Sequence, residues 1–212
     1  MKTPVLGLIQ KNTSEIAETL LEAKVILLPA STIYGISSVI SSESAIERIY
    51  DIKSRGRDKP FIVLISNIDA LTGLVKKTSM YACDLIREHW EKEDPDQVTM
   101  IFEKDPKVED YVTSGSPKIA IRLEKDRVLR SVIGISGPIV STSATISGSA
   151  TIPKSLEDVP DIIKEKVDLI VKSQKTLEGM ASTIVDVSGN KPLLLREGGV
   201  KLLGIRKKDE KI

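Results

Sequence analysis

The chain has one cysteine and one histidine in 212 residues. Cys83 has no partner for an internal disulfide. Cys83 and His89 together cannot build a zinc site of several Cys and His ligands. A reducing, cytoplasmic compartment is the expected setting. Aromatic residues are 3% of the chain against 41% hydrophobic, so the core must be mostly Ile, Leu and Val. No apolar run reaches the ~18–20 residues of a transmembrane helix, and no membrane association is expected. The opening stretch MKTPVLGLIQKN has too short an apolar run for a signal peptide. An excess of one charge is also missing: 31 Lys and Arg stand against 30 Asp and Glu, a net +1. That excludes a global basic excess for holding nucleic acid, yet leaves room for a local basic site. There is no GxxxxGK[ST], no GxGxxG after a strand and no GxSxG, so three familiar phosphate, dinucleotide and nucleophile motifs are absent.

What is present is an alternation of helical and strand-like segments. At this length the chain is one large domain, or one domain with a small extension. TSEIAETLLEA places Ile16, Leu20 and Leu21 on one face, and Asn12 with Glu15 has the spacing of a capping box. VILLP (25–29) and FIVLI (61–65) are short continuous apolar runs, the pattern of strands buried on both faces. SESAIERIYDIK (42–53) and SMYACDLIREHW (79–90) read as helices, and a further helix spans about 126–134. VTMIF, KIAIR, PIVS, VDLIV, STIVDV and PLLLR read as strands. The mixture predicts an α/β (α+β) fold with a mixed parallel and antiparallel sheet flanked by helices. The tail from 205 carries both charge signs and reads as a fraying, solvated end. Cys83 reads as a buried thiol in an apolar helix, His89 as a helix-end residue and Trp90 as packing.

Three polar loops draw attention. DIKSRGRDKP (51–60) puts six charges into ten positions just before a buried strand. In an extended segment Lys53 and Arg55 face one side; in a helix they point about 200° apart. Gly56 makes a helix end plausible. An arginine fork with a lysine point charge suits a phosphate chain, whereas cations offsetting a helix dipole are the ordinary alternative. VSTSATISGSAT (140–151) sets Ser143 and Thr145 two apart after a buried strand, either a phosphate cradle or an inert hydroxyl-rich loop. PASTIYG (29–35) offers Ser31, Thr32 and Tyr34 at another strand end, or is a simple exit turn. Together they suggest one pocket along a sheet edge, working through cations and hydroxyls.

The ordered series PASTIYG, IKSRGRDKP, IAIRL, VSTSATISG, ASTIVDVSG and LLLREGGV resembles the YrdC-like threonylcarbamoyl-adenylate synthases. The resemblance covers residues 12–202 and leaves 203–212 as a charged tail. Lys53-Ser54-Arg55 fits the family's KxR motif, and Ser143-Ala144-Thr145 fits its SxN motif except at the last position. The resemblance implies a single-domain twisted sheet with an open, concave basic face. It implies synthesis of threonylcarbamoyl-AMP and pyrophosphate from ATP, L-threonine and bicarbonate, with magnesium carried on the nucleotide and no protein-bound metal. A separate machinery would pass the group to adenosine 37 of tRNA, and tRNA or double-stranded RNA could bind. Lys53 and Arg55 would hold the ATP phosphates and carry the catalysis; Ser143, Thr145 and Arg196 would add nucleotide contacts. Thr32, Tyr34, Arg122 and Ser182 would line the threonine end, with Arg122 on its carboxylate. The chain departs from the family's PT[DE]T at Ser31, from its asparagine at Thr145, and from its WPGP across Glu91 to Gln97. A non-catalytic RNA-binding protein is one alternative. The other is a related enzyme with a different amino acid or carbamoyl donor.

Overall fold

The computed structural model describes residues 3–208. The apolar runs form the strands β1 (Val5–Gly7), β2 (Ile26–Pro29), β3 (Tyr34–Val39), β4 (Ile62–Ile65), β5 (Val98–Glu103), β6 (Lys118–Leu123), β7 (Ile139–Ser143), β8 (Leu169–Lys172), β9 (Thr183–Asp186), β10 (Leu193–Arg196) and β11 (Arg206–Lys207). The helices are α1 (Thr13–Leu21), α2 (Glu43–Lys53), α3 (Met80–His89), α4 (Asp110–Thr113), α5 (Arg127–Ser136) and α6 (Asp161–Lys164). All strands join one twisted sheet in the order β1-β8-β2-β3-β7-β4-β6-β5-β9-β10-β11. Parallel pairs are β1/β8, β8/β2, β4/β6, β5/β9 and β10/β11; the other five are antiparallel. The mixed sheet and its flanking helices agree with the fold class read from the sequence. The sheet reaches past both ends of the 12–202 span, to Val5 and Lys207.

Alternation along the strands sorts side chains onto two faces. One face carries Leu27, Ile36, Val63, Ile121, Met100, Val140 and Val185, packed with residues of α2 and α3 into the main core. The other carries Ile26, Leu28, Val39, Leu64 and Ile139 under α1 and α5. That second layer covers only part of its face. Beyond it Ile62, Arg122, Ser141 and Ile184, on the same face, line a hollow.

Local chemistry sets the helix ends. Ser42 caps α2 by accepting the Ala45 N–H at 3.2 Å, and Asp126 caps α5 from Val128 and Leu129. α2 stops at Lys53 because Ser54 adopts the left-handed conformation (φ 49°, ψ 46°). Gly56 is not the left-handed residue, and the chain is not extended from Lys53 to Arg55.

Four further expectations are corrected. Asn12 forms no capping box: its side chain donates instead to the Gly7 carbonyl at 2.9 Å. Cys83 is exposed, because Ala82, Leu85, Ile86 and His89 take the buried stripe of α3 and Cys83 lies off its phase. The tail is ordered at Arg206 and Lys207, which pair with Leu193 and Leu194; residues 209–212 lie outside the described residues. PASTIYG is more than a turn, since its last two residues open β3. That strand sits between β2 and β7 and buries Ser37 and Ser38, so it lacks the apolar signature of its neighbours. His89 and Trp90 behave as read. Trp90 is buried and donates its indole N–H to Val98 O at 3.0 Å. Among the described residues no helix is long and apolar enough to cross a membrane.

Candidate active site

The hollow is a cavity of about 300 Å³ on the partly covered face of the sheet. Its floor follows the strand register. Ser143 lies opposite Gly35, Ser141 opposite Ser37 and Ile62, and Arg122 opposite Leu64 and Thr99. A side chain at Gly35 would bring its Cβ to 2.6 Å from Ser141 Oγ and 3.1 Å from Thr142 O, so β3 approaches β7 closely there. The walls come from the 30–33 turn, the Arg55–Phe61 segment, the start of β9 and Arg196 at the end of β10.

Three arginines line this space and no carboxylate does. Arg55 donates to the carbonyls of Lys59 (3.1 Å) and Pro60 (3.0 Å) and lies over the Phe61 ring, 5.6 Å from its centroid. Arg196 donates from Nε and Nη2 to Ser182 O at 3.1 and 2.8 Å. Arg122 is only 4% exposed; its Nη1 donates to Thr32 Oγ1 at 3.2 Å, while its Nε–H has no partner. Burial lowers the pKa of Arg196, and the nearby Arg122 charge lowers it further. Burial likewise lowers that of Arg55, against the raising effects of Tyr50 and Asp58. Like charges held together in a partly dry hollow form a site in want of an anion.

Of the residues picked from the sequence, Arg55, Ser143, Arg196, Thr32, Arg122 and Ser182 converge on the cavity. Lys53, Thr145 and Tyr34 do not line it. Tyr34 points to the opposite face, into the main core, where its hydroxyl accepts the Ser173 N–H at 2.8 Å. Lys53 is 1% exposed, and its ammonium donates to the carbonyls of Ser143 and Thr145, the latter at 2.6 Å. It thereby fastens the end of α2 to the loop after β7. Burial, with a smaller contribution from Arg55, brings its pKa down to about 7. Thr145 shares a hydrogen bond with Ser143 through their hydroxyls, 3.1 Å apart.

Glu124 escaped the sequence reading. It is fully buried beside the cavity, two residues past Arg122, and its Oε2 accepts from Arg122 Nη2 at 3.3 Å. The i, i+2 spacing from a cavity arginine on a strand was the available signal. Glu124 Oε1 also accepts the N–H and hydroxyl of Ser31. In the Glu91–Gln97 stretch, Glu93 pairs with Arg127 at 3.0 Å and Asp94 with Lys125 at 2.7 Å at the surface, while Asp96 N donates to His89 O at 2.8 Å. Among the described residues no group of three or more His, Cys, Asp and Glu could hold a metal ion.

Known proteins share this architecture. The Sua5/YciO/YrdC family model, described as telomere recombination, matches residues 18–198. The threonylcarbamoyl-AMP synthase of Pyrococcus abyssi is 31% identical over 187 residues, covering 88% of this chain and 54% of that protein. That of Bacillus subtilis is 31% identical over 189 residues, covering 88% and 53%. The chain thus spans about half the length of these curated relatives. The crystal structure of P. abyssi Sua5 complexed with L-threonine superposes with a TM-score of 0.84 at 27% identity, over 97% of this chain and 62% of that one. With a family match across most of its length and the same sheet, the chain belongs to the Sua5/YciO/YrdC family.

Proposed function

We propose that the chain is an L-threonylcarbamoyladenylate synthase, a nucleotidyltransferase joining ATP, L-threonine and bicarbonate into threonylcarbamoyl-AMP and pyrophosphate. The observation that carries this reading is the cavity itself: three arginines and a row of hydroxyls set among apolar strand residues, with no carboxylate in the lining. Such a lining suits a polyanion at one end and an amino-acid carboxylate at the other.

The chemistry asks for positioning and charge rather than a protein nucleophile. The threonine amine adds to the carbon of bicarbonate, and water leaves, to give a carbamate. A carbamate oxygen then attacks the α-phosphorus, and the bond to the pyrophosphate oxygen breaks. Arg55 and Arg196 offset the charge of the phosphates. Ser143 and the loop behind it meet the nucleotide; Thr145 supports that loop through Ser143, and Lys53 holds it by its carbonyls. Arg122 takes the threonine carboxylate, with Thr32 and Ser182 beside it. Magnesium reaches the site on the nucleotide. The product is a reactive mixed anhydride, handed in the cytoplasm to the machinery that modifies adenosine 37 of tRNA.

The test is pyrophosphate release from ATP, magnesium and bicarbonate, with and without L-threonine. Threonine-dependent release is expected, with serine a poorer substrate. Absence of release with any amino acid would sink the reading, and RNA binding that weakens steeply with salt would then favour the RNA-binding alternative. Arg55→Ala and Arg196→Ala should each lower kcat/KM by roughly 10- to 100-fold, the worth of one charge-assisted contact. A variant that stays folded and turns over normally would remove that arginine from the phosphate site.

A further inference from the structure

We infer that Glu124 is a positioning residue for the amino-acid end of the cavity, its carboxylate fixed by the 31 and 125–126 backbone and aimed at Arg122. The inference deepens the synthase reading and rests on it. Glu124 is 0% exposed. Its Oε1 accepts from Ser31 N at 3.1 Å, the Ser31 hydroxyl, Lys125 N at 2.9 Å and Asp126 N at 3.0 Å. One carboxylate therefore joins the turn after β2 to the end of β6, and Oε2 is left for Arg122 Nη2.

Two consequences follow for Arg122. Its rotamer is fixed from two sides, by Thr32 on Nη1 and Glu124 on Nη2, so the partnerless Nε–H keeps one direction. A buried donor without a partner is a hydrogen bond left unmade, here on the arginine that borders the cavity. Its charge is also matched, whereas Arg55 and Arg196 have no ion pair within the described residues. The cavity is thereby graded. Two unmatched cations face a polyphosphate, and one matched cation orients a single carboxylate without holding the phosphates in its place.

Ser31 touches Glu124, so the carboxylate can be moved across the contact. Four proteins decide the matter: native, E124Q, S31D, and S31D/E124Q. Each is assayed for kcat and for KM of ATP and L-threonine by pyrophosphate release, and for L-threonine binding by calorimetry. E124Q should weaken threonine binding or raise its KM about 10- to 100-fold, with the KM for ATP changed less than about threefold. S31D alone sets two carboxylates in contact and should be harmful; combined with E124Q it should recover most of the loss. Contacting residues couple in any role, so the discriminating result is a reversal of sign seen in the threonine constants and not in those for ATP. Unchanged threonine constants in E124Q, or equal losses for both substrates that S31D does not repair, overturn the inference and leave the synthase reading standing. If the native protein releases no pyrophosphate, the synthase reading fails. Calorimetry then still decides: threonine binding weakened by E124Q supports the inference, and native protein that binds no amino acid overturns both.

Discussion

Lys53→Met should abolish a rise in stability of about 3–4 kcal/mol that Lys53 is expected to contribute between pH 7 and pH 10. Lys53 has its folded pKa brought down to about 7 by burial and by Arg55, against about 10.4 for a lysine in an unfolded chain. Between those values the unfolded chain holds a proton that the folded chain has released. Stability therefore increases with pH at up to about 1.4 kcal/mol per unit, less near pH 7 and pH 10 where one of the two states is partly titrated, which gives a total of about 3–4 kcal/mol. Below pH 7 both states are protonated, and the full penalty of a buried ammonium is present. The neutral amine still has two N–H donors for the carbonyls of Ser143 and Thr145, so the tether survives deprotonation. Urea unfolding of both proteins at unit steps from pH 6 to pH 10 gives the difference curve, in which the other titrating groups cancel. A difference that is flat from 7 to 10 would refute the low pKa. The methionine variant should also lose activity at every pH, because two loop carbonyls are left without their donor.

Gly198→Ala should be the most damaging single methyl in the molecule. A Cβ there would lie 2.2 Å from Ala181 O and 2.5 Å from Ser182 C and Thr183 N. All three are backbone atoms of the segment entering β9, so nothing can rotate aside. The two segments must part, and four hydrogen bonds between them suffer: Gly198 N and Val200 N to Thr183 Oγ1, Thr183 Oγ1 to Val200 O, and Gly199 N to Ala181 O. Overpacking of this kind costs about 1–3 kcal/mol, and the strained bonds add to it. Arg196 draws back from Ser182 in the same movement, so kcat/KM should fall at least about 10-fold alongside the loss of stability. Gly189→Ala is the control, its nearest contact an ordinary 3.9 Å to Lys191 O; it should leave the midpoint of thermal unfolding nearly unchanged. Equal behaviour of the two variants would mean that the 198/182 approach is looser than described.

The parts of this site that are legible in the sequence are those whose signal is local. VILLP and FIVLI announce buried strands by composition; Ser143 and Arg196 end such runs, and Arg55 stands in the charged segment just before one. What escapes depends on parity and on distant partners. Tyr34 reads as a site residue only while β3 goes unseen; once Gly35 faces the cavity, Tyr34 must face the core. Cys83 reads as buried from its apolar neighbours, although its helical phase, one past Ala82 and two before Leu85, already puts it outside the stripe. Lys53 could not be read as an internal clamp, because its acceptors lie about 90 residues away. Glu124 has only its place two past Arg122 to announce it; its bond to Ser31 spans 93 residues, and no local pattern reports that contact.

The sheet order bears on how the chain is made. β2 and β3 form a local hairpin, yet their outer neighbours are β8 and β7, which come more than a hundred residues later. During synthesis the hairpin must wait with both edges bare, carrying Ile26, Leu27 and Leu28, which end up fully buried. Pairings at such separation are slow to form, and the waiting edges invite association with other chains. The turn that carries Thr32 is drawn against Arg122 only late, so binding competence should appear abruptly with the last strands. A nascent chain stopped before β7 would expose the hairpin and have no site to show for it.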